Sequence, residues 1–245
     1  MHESSPGGRR SRFQTTEWSV VLAAGGENSS AARAALATLC ETYWYPLYAY
    51  VRRQGHDADE ARDLTQAFFL RFLEKQAVLD VRRERGRFRS FLLASLRHFL
   101  LNDAAHRRTL KRGGGQITLS LDFETAEGRY LQEPQDSRTP ERIFDRRWAL
   151  IVLHRVLRQL RREWVDAGKG DEFDRLKVCL TGGSPLAGYR EWGEALGLTE
   201  GAVKVAVHRL RRHYQRRLRE EIGKTVATAD AVDEEIRYLL SALQA

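Results

Sequence analysis

Residues 57–75 read DADEARDLTQAFFLRFLEK, and this stretch decides the fold class. Asp57, followed three residues on by Glu60, forms a capping box that opens a helix. Leu64, Phe68, Phe69, Leu70, Phe72 and Leu73 then wrap over more than half of its circumference. A single core-facing stripe needs only about 100°, so some of that surface is expected to meet a partner. A charged segment comes next. Residues 82–112 carry ten Lys/Arg against two acids, interleaved with Phe88, Phe91 and Phe99. Cations track a phosphate backbone, and aromatic rings accept unstacked bases. A protein-docking face beside a nucleic-acid face points to an adaptor rather than a catalyst.

Working outward, the pattern is almost entirely helical. Residues 1–14 read as a mobile basic arm without the apolar segment of a secretory signal. Residues 15–112 form a first unit. In it Thr16 can cap a short helix over 17–24, and Ser29 or Ser30 starts a long helical stretch to about Arg53. Pro46 is expected to kink or divide that stretch, because proline removes one ladder donor and clashes with the preceding turn. Gly55 ends it. After Gly86 the spacing of Phe88, Phe91, Leu92, Ser95, Leu96 and Phe99 predicts a helix to about Arg108. Residues 113–139 read as a polar linker with one brief alternating run, ITLSLDF, that can carry a short strand.

Thr139-Pro140-Glu141 is a strong helix start, since proline suits the first helical position. The second unit, 140–224, begins there. Its first helix runs to about Val165, and Asp171 is a candidate cap for another helix to about Leu180. The clearest motif is YREWGEALGLTEGAVKVAVHRLRRHYQRRLREEI at 189–222. A short helix ends at Gly197, Thr199 caps a second, and Val203, Val207 and Leu210 give that helix one apolar stripe. Lys204, His208, Arg209, Arg211 and Arg212 cover its remaining surface, which is a helix-turn-helix pattern with a basic outer face. Residues 225–245 form an acidic amphipathic helix with Val232, Ile236, Leu239, Leu240 and Leu243 on one stripe. Two readings of this tail stand: a helix docked on the second unit, or an acidic shield over the basic recognition helix.

The formal charge of +8 favours a polyanionic partner. Its distribution says more. Residues 204–219 hold seven Lys/Arg and no acid, whereas 220–245 carry six acids against two bases. Cys40 and Cys179 stand in no metal-ligand spacing and read as reduced, semi-buried thiols of a cytoplasmic protein. No apolar run approaches the ~18 residues of a membrane span. No metal or other cofactor is expected.

Taken together, YWYPLYAYVRR, DEARDLTQAFFLRF, RGRFRSFLLASLRHFLLNDAAHRR and LGLTEGAVKVAVHRLRR resemble a bacterial RNA polymerase sigma factor of the extracytoplasmic-function class. The resemblance covers 31–112 and 143–222, about two thirds of the chain. It implies an all-α fold of two small helical domains joined by a polar linker, the second containing the helix-turn-helix. By resemblance, Asp63, Gln66 and Leu73 contact core RNA polymerase, whose clamp and flap regions are the protein partners. Residues Arg82, Arg83, Arg85, Arg87 and Arg89 would hold the melted minus-ten strand. Phe88 or Phe91 offers a stacking face, both fitting a core role equally well, while Arg97, His98 and Asn102 lie on the polar side. Where the family commonly has Asn, this chain has His98, so its base specificity does not transfer.

The minus-thirty-five element would be read by Thr199, Ala202, Lys204, Val205, His208, Arg209 and Arg212. Where the family often reads Thr-Val-Lys-Ser-Arg, Val205 and Ala206 replace two polar readers. These side chains touch thymine methyls but make no hydrogen bonds, which shifts the weight to phosphate contacts. Gly193 stands where Ala is usual, at a cost of about 1 kcal/mol of helix stability. An anti-sigma factor or other inhibitory regulator is a further candidate partner. Against these readings stand an enzyme, for which no HExxH, Walker loop or nucleophile elbow is present, and a stand-alone helix-turn-helix regulator of duplex DNA, which leaves the first unit unexplained.

Overall fold

The computed structural model describes residues 30–74, 86–107, 122–132, 139–180 and 188–244. The arm at 1–14, the short helix expected over 17–24 and most of ITLSLDF lie outside them. Among the described residues the chain is all-α. Its helices are α1 (Ser30–Arg53), α2 (Ala58–Glu74), α3 (Phe88–Arg107), α4 (Phe123–Gln132), α5 (Pro140–Asp166), α6 (Gly170–Leu176), α7 (Gly188–Leu196), α8 (Glu200–Gly223) and α9 (Ala231–Gln244). Long-range helix contacts fit two helical lobes, α1–α3 and α5–α9. None of the helices is long and apolar enough to cross a membrane.

Local chemistry sets most of the boundaries. Gly55 adopts a φ of 97°, a left-handed conformation that a side chain resists, and so releases α1. Asp57 Oδ1 then accepts the Glu60 amide at 2.8 Å and opens α2. Thr139 caps α5 through the Arg142 amide, with Pro140 directly after it. Two boundaries depart from the sequence reading. Pro46 does not divide α1, which runs unbroken through it. Packing on both α2 and α5 supports the helix across the missing donor. Asp171 lies within the first turn of α6 rather than capping it, and the last turn to Leu180 is a 3₁₀ segment.

The stretch read as linker also holds structure. Its residues 123–132 form α4, opened by Asp122 accepting the Thr125 amide at 3.1 Å. Glu127 ties this helix to α1: it accepts from the Tyr48 hydroxyl and from Arg52 at 2.7 and 3.1 Å. The Tyr130 ring lies 4.7 Å from the Arg52 guanidinium. Part of the connector is therefore fastened to the first lobe, by contacts too distant in sequence to read locally.

Helix α5 is the pillar of the molecule, touching α1, α6, α8 and α9. The Trp148 indole stacks on Tyr43 of α1 with centroids 4.1 Å apart and an interplanar angle of 10°. Phe88 lies 6.1 Å from both rings, which joins α3 to the same layer. Buried apolar residues from every lobe form one continuous cluster, from Tyr43 and Phe69 to Val207, Ile222 and Leu239. Replacing Trp148 by Ala is expected to cost about 3–5 kcal/mol. Because the indole bridges α1 and α5, chemical denaturation followed by circular dichroism should show one transition at lower midpoint. A loss below about 1 kcal/mol would contradict the shared core.

Candidate nucleic-acid interfaces

The apolar surface of α2 is mostly internal. Leu64, Phe68 and Phe69 are buried, and the Phe68 ring meets Phe69, Phe72 and Phe99 at 5.3–5.8 Å. Helices α1 and α3 cover part of this helix, while Leu70 and Phe72 remain half-buried. A polar strip faces solvent as well. Asp63 is exposed and Gln66 half-buried, one turn apart, while Leu73 stands in the last turn with its side chain outside the description.

Helix α3 divides its candidate residues between two environments. Arg97, His98 and Asn102 share an exposed face with Leu101, which is 71% accessible. The start of the helix is closed instead. Phe88 is fully buried, its amide donating to the Thr225 carbonyl at 2.8 Å, so in this arrangement it offers no face to a base. Phe91 is half-buried against Phe72 and Phe88. Arg82, Arg83 and Arg85 lie outside the described residues.

Arg87 and Arg89 point into the second lobe. Arg87 donates to Glu234 at 2.8 Å and reaches Glu235 at 2.6 Å. Arg89 donates to Glu235 at 2.6 Å and also to Asp145. Burial works against the Arg89 charge, but Glu235 and Asp145 outweigh it and hold the guanidinium firmly protonated. The Tyr238 ring covers that guanidinium at 4.2 Å, and its hydroxyl donates to Asp145 at 2.6 Å. Sequence reasoning missed Asp145, Glu234, Glu235 and Tyr238. One signal was available: Glu235 adjoins Val232, Ile236 and Leu239 on the inward stripe of α9, where a lone carboxylate needs a cation. Glu234 and Glu235 of the tail meet α3, the helix itself packs on α5 and α8, and among the described residues Asp233 pairs with Arg219 of α8.

The second candidate face is built by α7 and α8. Gly193 lets them approach: the Leu198 amide donates to its carbonyl at 2.8 Å, and a Cβ there would stand 2.5 Å from the Leu198 carbonyl oxygen. The apparent helix weakness of Gly193 is therefore a steric requirement. Gly197 turns the chain with a φ of 65°, and the exposed Thr199 caps α8 through the Ala202 amide at 3.2 Å. Val203, Val207 and Leu210 are buried as their spacing predicts, and Ala202 is half-buried. Outward stand Lys204, Val205, His208, Arg209 and Arg212. Lys204 pairs with Glu200 at 2.7 Å, whereas His208, Arg209 and Arg212 have no ion pair among the described residues. Val205, 49% accessible, adds an exposed apolar spot to that basic surface.

Two other cations of α8 are engaged within the chain. Arg211 donates to the Cys179 carbonyl at 3.2 Å, and Arg217 bridges Glu163 and Glu220. Cys179 itself is buried, with its thiol pushed up by desolvation. Among the described residues no group of three or more His, Cys, Asp or Glu is placed to hold a metal ion. Comparison with known proteins gives no match: no family model, no curated protein and no solved structure aligns with this chain.

The geometry of the α7–α8 turn makes a paired expectation. Gly193→Ala should destabilise the chain by about 1–3 kcal/mol, because the obstructing atom belongs to the backbone. Gly201→Ala, where an added Cβ meets nothing within 4 Å, should be neutral to slightly stabilising. Thermal melts of the two variants test this, and equal effects would remove the steric explanation.

Proposed function

We propose that this chain is a transcription initiation factor of the sigma type, which binds core RNA polymerase and directs it to promoters. Its resemblance in four ordered segments supports the reading, and one observation carries it. The outer face of α8 at Val205, His208, Arg209 and Arg212 is exposed and without ion pairs among the described residues, on a helix that a tight capped turn presents. A helix of this form fits the major groove of duplex DNA.

In the proposed mechanism the chain makes no bonds. Helices α7 and α8 serve as a helix-turn-helix on upstream duplex, Val205 meeting a thymine methyl while Lys204, Arg209 and Arg212 hold phosphates. Asp63 and Gln66 contribute the polar strip of α2 that meets the polymerase clamp. Arg97, His98 and Asn102 line the face that receives the melted strand, where unpaired bases are held by stacking and backbone charge. The expected location is the cytoplasm, where polymerase and promoter are found, and no cofactor is required. A stand-alone duplex-binding regulator is the second reading, favoured by the fact that the α8 face is open in the free chain.

Run-off transcription with purified core polymerase and genomic fragments separates the two. Initiation at defined start sites is expected, and duplex binding without initiation would favour the regulator. Arg209→Ala and Arg212→Ala should each weaken duplex binding across sequences and flatten the salt slope by about 0.9 per lost phosphate contact. Fluorescence anisotropy over a salt series reads both. Unchanged affinity in both variants would mean that DNA docks elsewhere.

A further inference from the structure

Where α3, α5 and α9 meet, two arginines share three carboxylates. Glu235 is only 1% exposed, and its two oxygens face Arg87 Nε and Arg89 Nε, both at 2.6 Å. Glu234 adds a second acceptor to Arg87, while Asp145 faces Arg89 and the Tyr238 hydroxyl. Arg89 and Asp145 are themselves 5% and 7% exposed. The joined residues are 146 positions apart in sequence. Such a contact is not an incidental surface pairing.

The chemistry of the occupant is informative. An arginine fork that accepts a carboxylate also accepts a phosphate, with the same parallel donor geometry. Arg87 immediately precedes α3 and Arg89 stands in its first turn, two to three turns before the exposed Arg97, His98 and Asn102. Glu234 and Glu235 thus neutralise the cations at the start of a helix whose later turns carry exposed polar residues. From this we propose that α9 is the internal occupant of a single-strand nucleic-acid site, its two carboxylates standing where backbone phosphates bind when the helix lifts away. The inference rests on the functional reading of α3 as the strand-binding element. The apolar stripe of Val232, Ile236, Leu239 and Leu243 packs the same helix onto the second lobe, which makes the closed form the resting one.

Anisotropy of a fluorescein-labelled, mixed-sequence single-stranded oligodeoxynucleotide on the full chain tests the proposal. Glu234→Gln/Glu235→Gln should bind about tenfold tighter than wild type, within the usual range of site coupling. Its salt slope should steepen by about 1.4, or about 0.7 for each of two phosphates gained. A charge-matched control, Asp166→Asn/Asp171→Asn, removes two acids from solvent far from α3 in sequence and should give no such gain. Equal tightening by control and test variants would reduce the effect to net charge and overturn the site. If the glutamine variant fails to fold, Tyr238→Phe removes one hydrogen bond and no charge, and should tighten binding about threefold. Wild-type affinity and slope in a folded test variant would overturn the proposal. Duplex binding through α8, measured on the same samples, should not change. Run-off initiation by the wild-type chain tests the functional reading separately.

Discussion

A guanidinium removed from water must keep its counter-charges, and Arg89 is where this requirement shapes the molecule. The effective penalty for burying one ion is several kcal/mol, offset only by well-placed partners. Arg89 comes from α3, Asp145 from α5 and Glu235 from α9. Three elements from distant parts of the chain are therefore fixed by one charge. Apolar packing brings them close: Phe88, next in sequence, sits against Tyr43 and Trp148. Packing of this kind tolerates small slides, whereas a shared carboxylate does not. The ring layer sets proximity, and the charge network sets the register of α9 on its neighbours.

This division explains what the sequence could reveal. Helix starts at Asp57, Thr139 and Thr199 were legible because a cap and the amide it serves are three residues apart. The buried stripe of Val203, Val207 and Leu210 was legible for the same reason, since periodicity is local. Partnerships across the chain were not. Nothing near Glu127 announces Tyr48 and Arg52, so α4 read as linker. The excess apolar surface of α2 was countable from the sequence, but counting does not say how much of it meets α3 and how much stays half-buried, as Leu70 and Phe72 do. Gly193 read as a weakness until its carbonyl neighbour was known.

The formal charge of +8 likewise hides a sorting. Arg52, Arg87, Arg89, Arg161, Arg217 and Arg219 are all engaged by carboxylates within the chain. Charges neutralised at contact distance contribute little beyond a Debye length, about 10 Å at 0.1 M salt. The field that reaches a distant polyanion thus comes from cations such as Arg209 and Arg212 on α8. Composition does not show this sorting, which divides the cations of both lobes between internal pairs and open faces.

The two faces consequently differ in readiness. The α8 surface is exposed with α9 in place, so the proposed duplex docking there would demand no rearrangement of α9. A ligand that binds closed and open forms equally shifts nothing, however tightly it binds. Under the proposed function, upstream duplex on Arg209 and Arg212 would therefore not by itself lift α9. Reversing a closed-to-open ratio of 99:1 takes about 5.5 kcal/mol of differential binding. In the proposed opening, two phosphate contacts on Arg87 and Arg89 would have to supply such a difference while the apolar stripe of α9 is uncovered. Under the proposed function a further partner that favours the open form would supply the rest, and the exposed Asp63 with the half-buried Gln66 on α2 is where core polymerase would engage.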